Sequence, residues 1–150
     1  MLTLDRSAIK ALLPHRDPFL FVDEVTASGT TDAGHPWLET AWTVNPEMHV
    51  FRGHYPGNPI LPGVLIQEHT FQSGALLIYT TEERKGMSGG MPVLTKVEDA
   101  RFRRMVLPGM RLTTRVELTE TLSNARYLKA KVQGPDGLVA SLSCVLALAE

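Results

Sequence analysis

Residues 62–79 read PGVLIQEHTFQSGALLIY, and this stretch decides the architecture. Pro62 suits the start of a helix, where its missing N–H is not needed, and no further proline interrupts the next four or so turns, at roughly 3.6 residues each. Val64, Leu65, Ile66, Phe71, Ala75, Leu76, Leu77, Ile78 and Tyr79 leave that helix no wide polar face, which predicts that it is buried. A buried helix needs apolar surface around it, and the rest of the chain has to supply that surface.

Immediately upstream, residues 45–62 carry Pro46, Pro56, Pro59 and Pro62 together with Gly53 and Gly57, so neither helix nor central strand persists there. This is a loop on a constrained path. Further upstream, WLETAWTV at 37–44 alternates as a strand, and PFLFVDEV at 18–25 reads as an earlier one, with a turn around Gly29 to Gly34 between them. DRSAIKALLP at 5–14 reads as a short helix capped by Asp5 or Ser7 and ended by Pro14, with Ile9, Leu12 and Leu13 forming its apolar stripe.

Downstream, a polar connection containing Gly86, Gly89 and Gly90 leads to strand-like runs at 93–106, 111–121, 125–133 and 138–148. Pro108 with Gly109, Ser123 with Asn124, and GPDG at 134–137 mark the turns. Several antiparallel strands and one long buried helix make an α+β fold in which a strongly curved sheet wraps the helix.

At 150 residues and 43% hydrophobic content, the chain is expected to form one domain over 1–150. Fifteen basic and sixteen acidic residues leave a net charge of −1, which argues against a surface built to bind nucleic acid. No apolar run reaches the roughly 18 residues of a membrane span, and MLTLDRSAIK lacks the pattern of a secretion signal, so a soluble cytoplasmic protein is expected. The single cysteine, Cys144, lies in the apolar run LSCVLAL and reads as a buried filler.

Chemistry concentrates between His54 and Gln72. An ionised carboxylate in the middle of an apolar helix is costly, so the position of Glu68 favours its protonated form, as a general acid requires. Gln72, four residues on, shares its face and is placed to orient Glu68 or a water. His54 brings an imidazole, the side chain that ordinarily titrates near neutral pH, into the constrained loop as a candidate base. Behind Pro62, the N–H groups of Gly63 and Val64 are free at the positive end of the helix dipole, a corner that polarises a carbonyl oxygen.

A lone loop histidine is usually structural, and a lone buried glutamate is often merely hydrogen-bonded. Their combination around a Pro-Gly helix start is more informative than either. His49 with His54, or Glu68 with His69, does not match the usual spacing of metal ligands. No glycine-rich phosphate loop follows a strand, and no G-x-S-x-G motif is present.

The blocks LLPHRDPFLFVDEV, NPEMHVFRGHYPGNPILPGVLIQEHTFQ and ARFRRMVLPG occur in an order that resembles the β-hydroxyacyl-acyl carrier protein dehydratases of fatty acid synthesis, the FabZ type. The likeness runs from Leu12 to about Leu148. It implies the hot-dog fold, homodimers often assembled into trimers of dimers, an acyl carrier protein as partner, and no metal or organic cofactor. It also implies that His54 and Glu68 of one site come from different subunits and that the Gly63 amide holds the thioester carbonyl. Val64, Gln72, Tyr55 and Pro62 are the accompanying substrate-binding candidates.

Three departures from the family pattern stand out. Tyr55 replaces a usual phenylalanine, Met105 a usual proline, and His69, Thr70 and Phe71 replace small residues, with consequences for an acyl tunnel. Glu68 rather than aspartate favours dehydration without isomerisation.

The expected reaction is therefore dehydration of (3R)-hydroxyacyl thioesters to trans-2-enoyl thioesters, with His54 as base and Glu68 as acid. An acyl thioesterase on the same fold is the rival enzyme class, although it would have little use for His54. A non-catalytic module binding acyl chains or a carrier protein is the third reading. Arg101, Arg103 and Arg104 form the densest cationic cluster and are the candidate carrier-docking residues.

Overall fold

The computed structural model describes residues 1–81 and 91–149, so the connection containing Gly86, Gly89 and Gly90 lies outside the described residues. The elements are α1 (Arg6–Leu12), β1 (Glu24–Thr30), β2 (Pro36–Thr43), α2 (Gly63–Thr80), β3 (Met91–Phe102), β4 (Arg111–Leu122), β5 (Ala125–Gly134) and β6 (Gly137–Ala149). The six strands form an antiparallel sheet in the order β1-β2-β4-β5-β6-β3. Register shifts in β1, β3, β4 and β6 are the bulges that bend such a sheet around a helix.

The sheet's inner face follows from strand alternation. Leu112, Thr114, Val116 and Leu118 of β4, and Leu128, Ala130 and Val132 of β5, all point inward and are buried. Against them lies the C-terminal half of α2, where Ala75, Leu76, Leu77 and Ile78 are each at most 5% exposed. The approach is close at one point, where a methyl group on Gly74 would lie 2.8 Å from Leu128 Cδ1 and the leucine side chain would have to shift. Cys144 is buried in the same core, and burial pushes its thiol pKa up to about 12, far from a reactive thiolate.

Asp5 rather than Ser7 caps α1, accepting a hydrogen bond from the Ala8 N–H at 2.8 Å. Pro62 is the N-cap of α2, with Gly63 its first helical residue, one position later than the proline-first reading. Residues 45–62 form a loop, broken only by a 3-10 turn at His49–Arg52.

The first strand differs more. It starts at Glu24 and continues through Gly29 to Thr30, whereas Pro18 and Phe19 lie in a turn closed by the Phe19 N–H on the Arg16 carbonyl, and residues 20–23 run on outside any strand. The reason is competition for backbone groups: the peptides of Phe19 and Phe21 bond to side chains of α2 instead of to a neighbouring strand.

The two edges of the sheet are β1 and β3. β3 is unusual in being exposed along most of its length, with Met91, Val93, Leu94 and Phe102 between 38% and 50% exposed. A long apolar edge strand is a template for pairing with another chain.

Candidate active site

His54 sits at the end of the proline-rich loop, where Tyr55 and Asn58 exchange backbone hydrogen bonds and the His54 carbonyl accepts from the Ile60 N–H. The His54 Nδ1 lies 2.7 Å from the Ile60 carbonyl. A carbonyl only accepts, so Nδ1 carries the proton and Nε2 keeps a free lone pair. The Tyr55 ring, half exposed, stacks on the imidazole with centroids 4.0 Å apart. The ring is thus held in one tautomer and one orientation by its own loop.

A cavity of about 440 Å³ opens beside His54 and is also lined by Ile60, Leu61, Gly63, Ile66 and the segment 102–106. At its floor, the first bonds into α2 run from Leu65 and Ile66 to the Pro62 carbonyl. The N–H groups of Gly63 and Val64 therefore have no partner within the helix. Val64 is 69% exposed and projects its side chain outward. The Phe102 ring covers Gly63 so closely that a methyl group there would stand 3.3 Å from it. Phe102 escaped the sequence reading, although the arginines on either side of it drew notice.

Glu68 lies elsewhere. Its side chain is 23% exposed, less enclosed than the apolar helix suggested, because the N-terminal half of α2 is only partly covered by this chain. Gln72 is buried, and its amide is fully used: Oε1 accepts from the Phe21 N–H at 2.8 Å, while Nε2 donates to Phe19 O at 3.0 Å and to Glu68 Oε2 at 2.9 Å. The backbone partners fix which way the amide faces, so Glu68 Oε2 is held as an acceptor. A proton on this carboxyl then belongs on Oε1.

His15 Nε2 is 3.7 Å from the same Oε2, and its Nδ1 is buried without a hydrogen-bond partner. His15 also went unassigned as a site residue, although it lies within the LLPHRDPF block. Glu68 and His54 share neither a hydrogen bond nor the cavity beside His54. Within one chain the His54 imidazole and the open helix start at Gly63 therefore share one cavity, and the Glu68 carboxyl has different neighbours.

Thr70 is buried and turns its hydroxyl back onto the Gln67 carbonyl, while Phe71 packs against the main core and His69 is fully buried. Burial lowers the His69 pKa to about 4, an effect opposed by its bond to the Phe21 carbonyl. Arg101, Arg103 and Arg104 are all exposed, and Arg103 and Arg104 line the mouth of the His54 cavity. They continue into a second opening of about 420 Å³ bounded by Gly134, Pro135 and Asp136. A bulge after Glu98, with Asp99 at φ 51°, re-aims the end of β3 towards this corner. Among the described residues no three His, Cys, Asp or Glu side chains converge as metal ligands, and no helix is long and apolar enough to cross a membrane.

Comparison with known proteins bears on the family and the fold. The FabA-like domain model matches residues 13–139. A 3-hydroxyacyl-[acyl-carrier-protein] dehydratase FabZ from Mannheimia succiniciproducens is 40% identical over 143 residues, covering 94% of this chain and 91% of the relative. Its counterpart from Symbiobacterium thermophilum is 42% identical over 109 residues, covering 71% and 70%. Among solved structures, a chain of the dehydratase heterocomplex ApeI:P from Xenorhabdus doucetiae superposes with a TM-score of 0.71 over 95% of this chain and 91% of that one, at 14% identity. The last likeness is one of fold, while the sequence matches over most of their length carry the family. The chain belongs to the FabA-like family, with FabZ dehydratases among its similar relatives.

Proposed function

We propose that this protein dehydrates (3R)-hydroxyacyl thioesters carried on acyl carrier protein, in fatty acid or related acyl-chain synthesis, at sites formed between two copies of the chain. The observation that carries the reading is the cavity in which the unprotonated Nε2 side of His54 and the open N–H of Gly63 are brought together. The thioester oxygen accepts from Gly63 N–H, which stabilises the negative charge that develops when C2 loses its proton. His54 Nε2 takes that proton. The C2–H electron pair becomes the C2–C3 double bond, the C3–O bond breaks, and the hydroxyl leaves as water with the proton from Glu68 Oε1.

In this reading the acid comes from a second copy. Within one chain, Glu68 and His54 have separate surroundings, and the open apolar edge of β3 provides a surface along which two chains can pair. Arg103 and Arg104 at the cavity mouth suit an acidic carrier.

Purified protein given 3-hydroxyacyl thioesters should produce the conjugated enoyl thioester. Release of free thiol with no enoyl product would replace this reading with thioester hydrolysis. The shared site is tested by letting two inactive variants, His54→Ala and Glu68→Gln, exchange subunits. Random mixing makes about half of the dimers mixed, and each mixed dimer holds one intact site, so roughly a quarter of wild-type activity should return. Exchange that restores no activity would show that both residues serve one site within a chain.

A further inference from the structure

Helix α2 places His69 directly after Glu68, and the two side chains have opposite fates. Glu68 reaches the partly exposed surface, while His69 is 0% exposed. Its Nδ1 is 2.6 Å from the Phe21 carbonyl and its Nε2 is 2.7 Å from Thr114 Oγ1 on β4. The carbonyl can only accept, so Nδ1 carries the hydrogen, and the Thr114 hydroxyl donates to Nε2. The ring also stacks on Trp42, with centroids 5.3 Å apart and planes 29° from parallel. The imidazole is a fully satisfied strut joining β2, β4, α2 and the segment before β1.

That segment is the one that orients the acid. Phe21 is gripped from both sides of its backbone, its carbonyl by His69 and its N–H by Gln72 Oε1. The Gln72 amide has its direction set by Phe21 N–H and Phe19 O, and its Nε2 donates to Glu68 Oε2. Releasing the Phe21 carbonyl frees the segment against which the amide is indexed. The error passes to the carboxyl two bonds of the network away.

From this geometry we infer that His69 is a positioning residue for Glu68: its Nδ1–H, together with Gln72, clamps the Phe21 peptide so that Glu68 Oε1 is presented as the proton donor. The inference rests on the dehydratase reading. It separates His69 from a mere core filler, because a filler would affect folding and leave the balance between kcat and KM alone.

The test compares wild type with His69→Phe, which keeps a ring of similar shape and loses both hydrogen bonds, and with His69→Asn, whose amide can restore a donor near the Nδ1 position. Each is assayed on a 3-hydroxyacyl thioester at a temperature where circular dichroism shows it folded. His69→Phe should lower kcat at least tenfold with KM changed less than twofold, and His69→Asn should recover most of the loss. Thr114→Val serves as a milder variant in case His69→Phe does not fold, and it should lower kcat with KM likewise held. Nitrogen NMR of the wild-type imidazole should find the Nδ1–H tautomer, a readout that needs no turnover.

A folded His69→Phe, or Thr114→Val in its place, with wild-type kcat would overturn the inference. So would a loss expressed in KM, no recovery with asparagine, or the Nε2–H tautomer. Failure of the wild type itself to form enoyl product would instead remove the dehydratase reading, and the tautomer would still judge the clamp.

Discussion

The two halves of α2, GVLIQEHTFQ at 63–72 and SGALLIYT at 73–80, have opposite duties in the fold. From Ser73 to Ile78 every residue is buried, and the apolar ones join the main core against β4, β5 and β6. From Gly63 to Gln72 the helix is a mixture: Val64 is exposed, Glu68 is partly exposed, and the buried positions include the polar His69, Thr70 and Gln72. One half is held by area removed from water, the other by specific hydrogen bonds to the segment 19–21 and to Thr114. The difference teaches that one apolar helix can anchor a fold at one end and present chemistry at the other.

Substitutions should separate the halves. Glu68→Gln in the N-terminal half should reduce kcat by about 10³-fold, within the usual range for a lost general acid, while shifting the denaturation midpoint little. Retained turnover would remove Glu68 from its role and erase the contrast at its most important point.

Leu76→Ala in the C-terminal half should do the reverse. Leu76 is 0% exposed in the main core, so its truncation should cost about 3 kcal/mol of stability in urea unfolding. Activity per folded molecule should stay near wild type. A stable Leu76→Ala protein, or a folded but inactive one, would show that the two halves are not separable.

Acid sharpens the comparison from the polar side. Burial holds His69 neutral in the fold with its pKa lowered to about 4, whereas the unfolded chain takes up the proton near 6.5. Between those values the unfolded state binds more protons, so stability is complete above pH 6.5 and is lost as pH falls towards 4. The full contribution is about 3 kcal/mol, at roughly 1.4 kcal/mol for each pH unit. Urea unfolding measured across this window should show that slope in wild type and a shallower one in His69→Phe. Identical slopes would mean that His69 is not the group responsible.

The smallest expected effect lies outside the helix, at the mouth of the site. Reversing Arg103 and Arg104 to glutamate should raise KM for carrier-bound substrate about tenfold, or about 1.4 kcal/mol, and spare a small thioester mimic. Equal losses on both substrates would place these arginines in the site rather than at a docking surface.

Much of this molecule could be read along the chain. Pro62 and the apolar run after it located α2, alternation located β2, strand-like runs located β4, β5 and β6, and the Pro, Gly and Asn signals located their turns. These are local effects, decided by backbone restriction and by which faces must leave water, and they act within a few residues. The Pro-Gly start of the helix, with His54 before it and Glu68 and Gln72 within it, marked the region of interest for the same reason.

What only the tertiary structure decided concerns polar groups that choose partners across the fold. PFLFVDEV has the composition of a strand, yet Phe19 and Phe21 stay out of the sheet, with Gln72 and His69, some 50 residues away in sequence, bonding to their backbone. The same long-range choice turned Gln72 inward onto Glu68, buried His69 between Trp42 and Thr114, and laid Phe102 over Gly63. A hydrogen-bonding group takes whichever complementary atom the folded chain brings within about 3 Å, and that distance has no counterpart in sequence spacing.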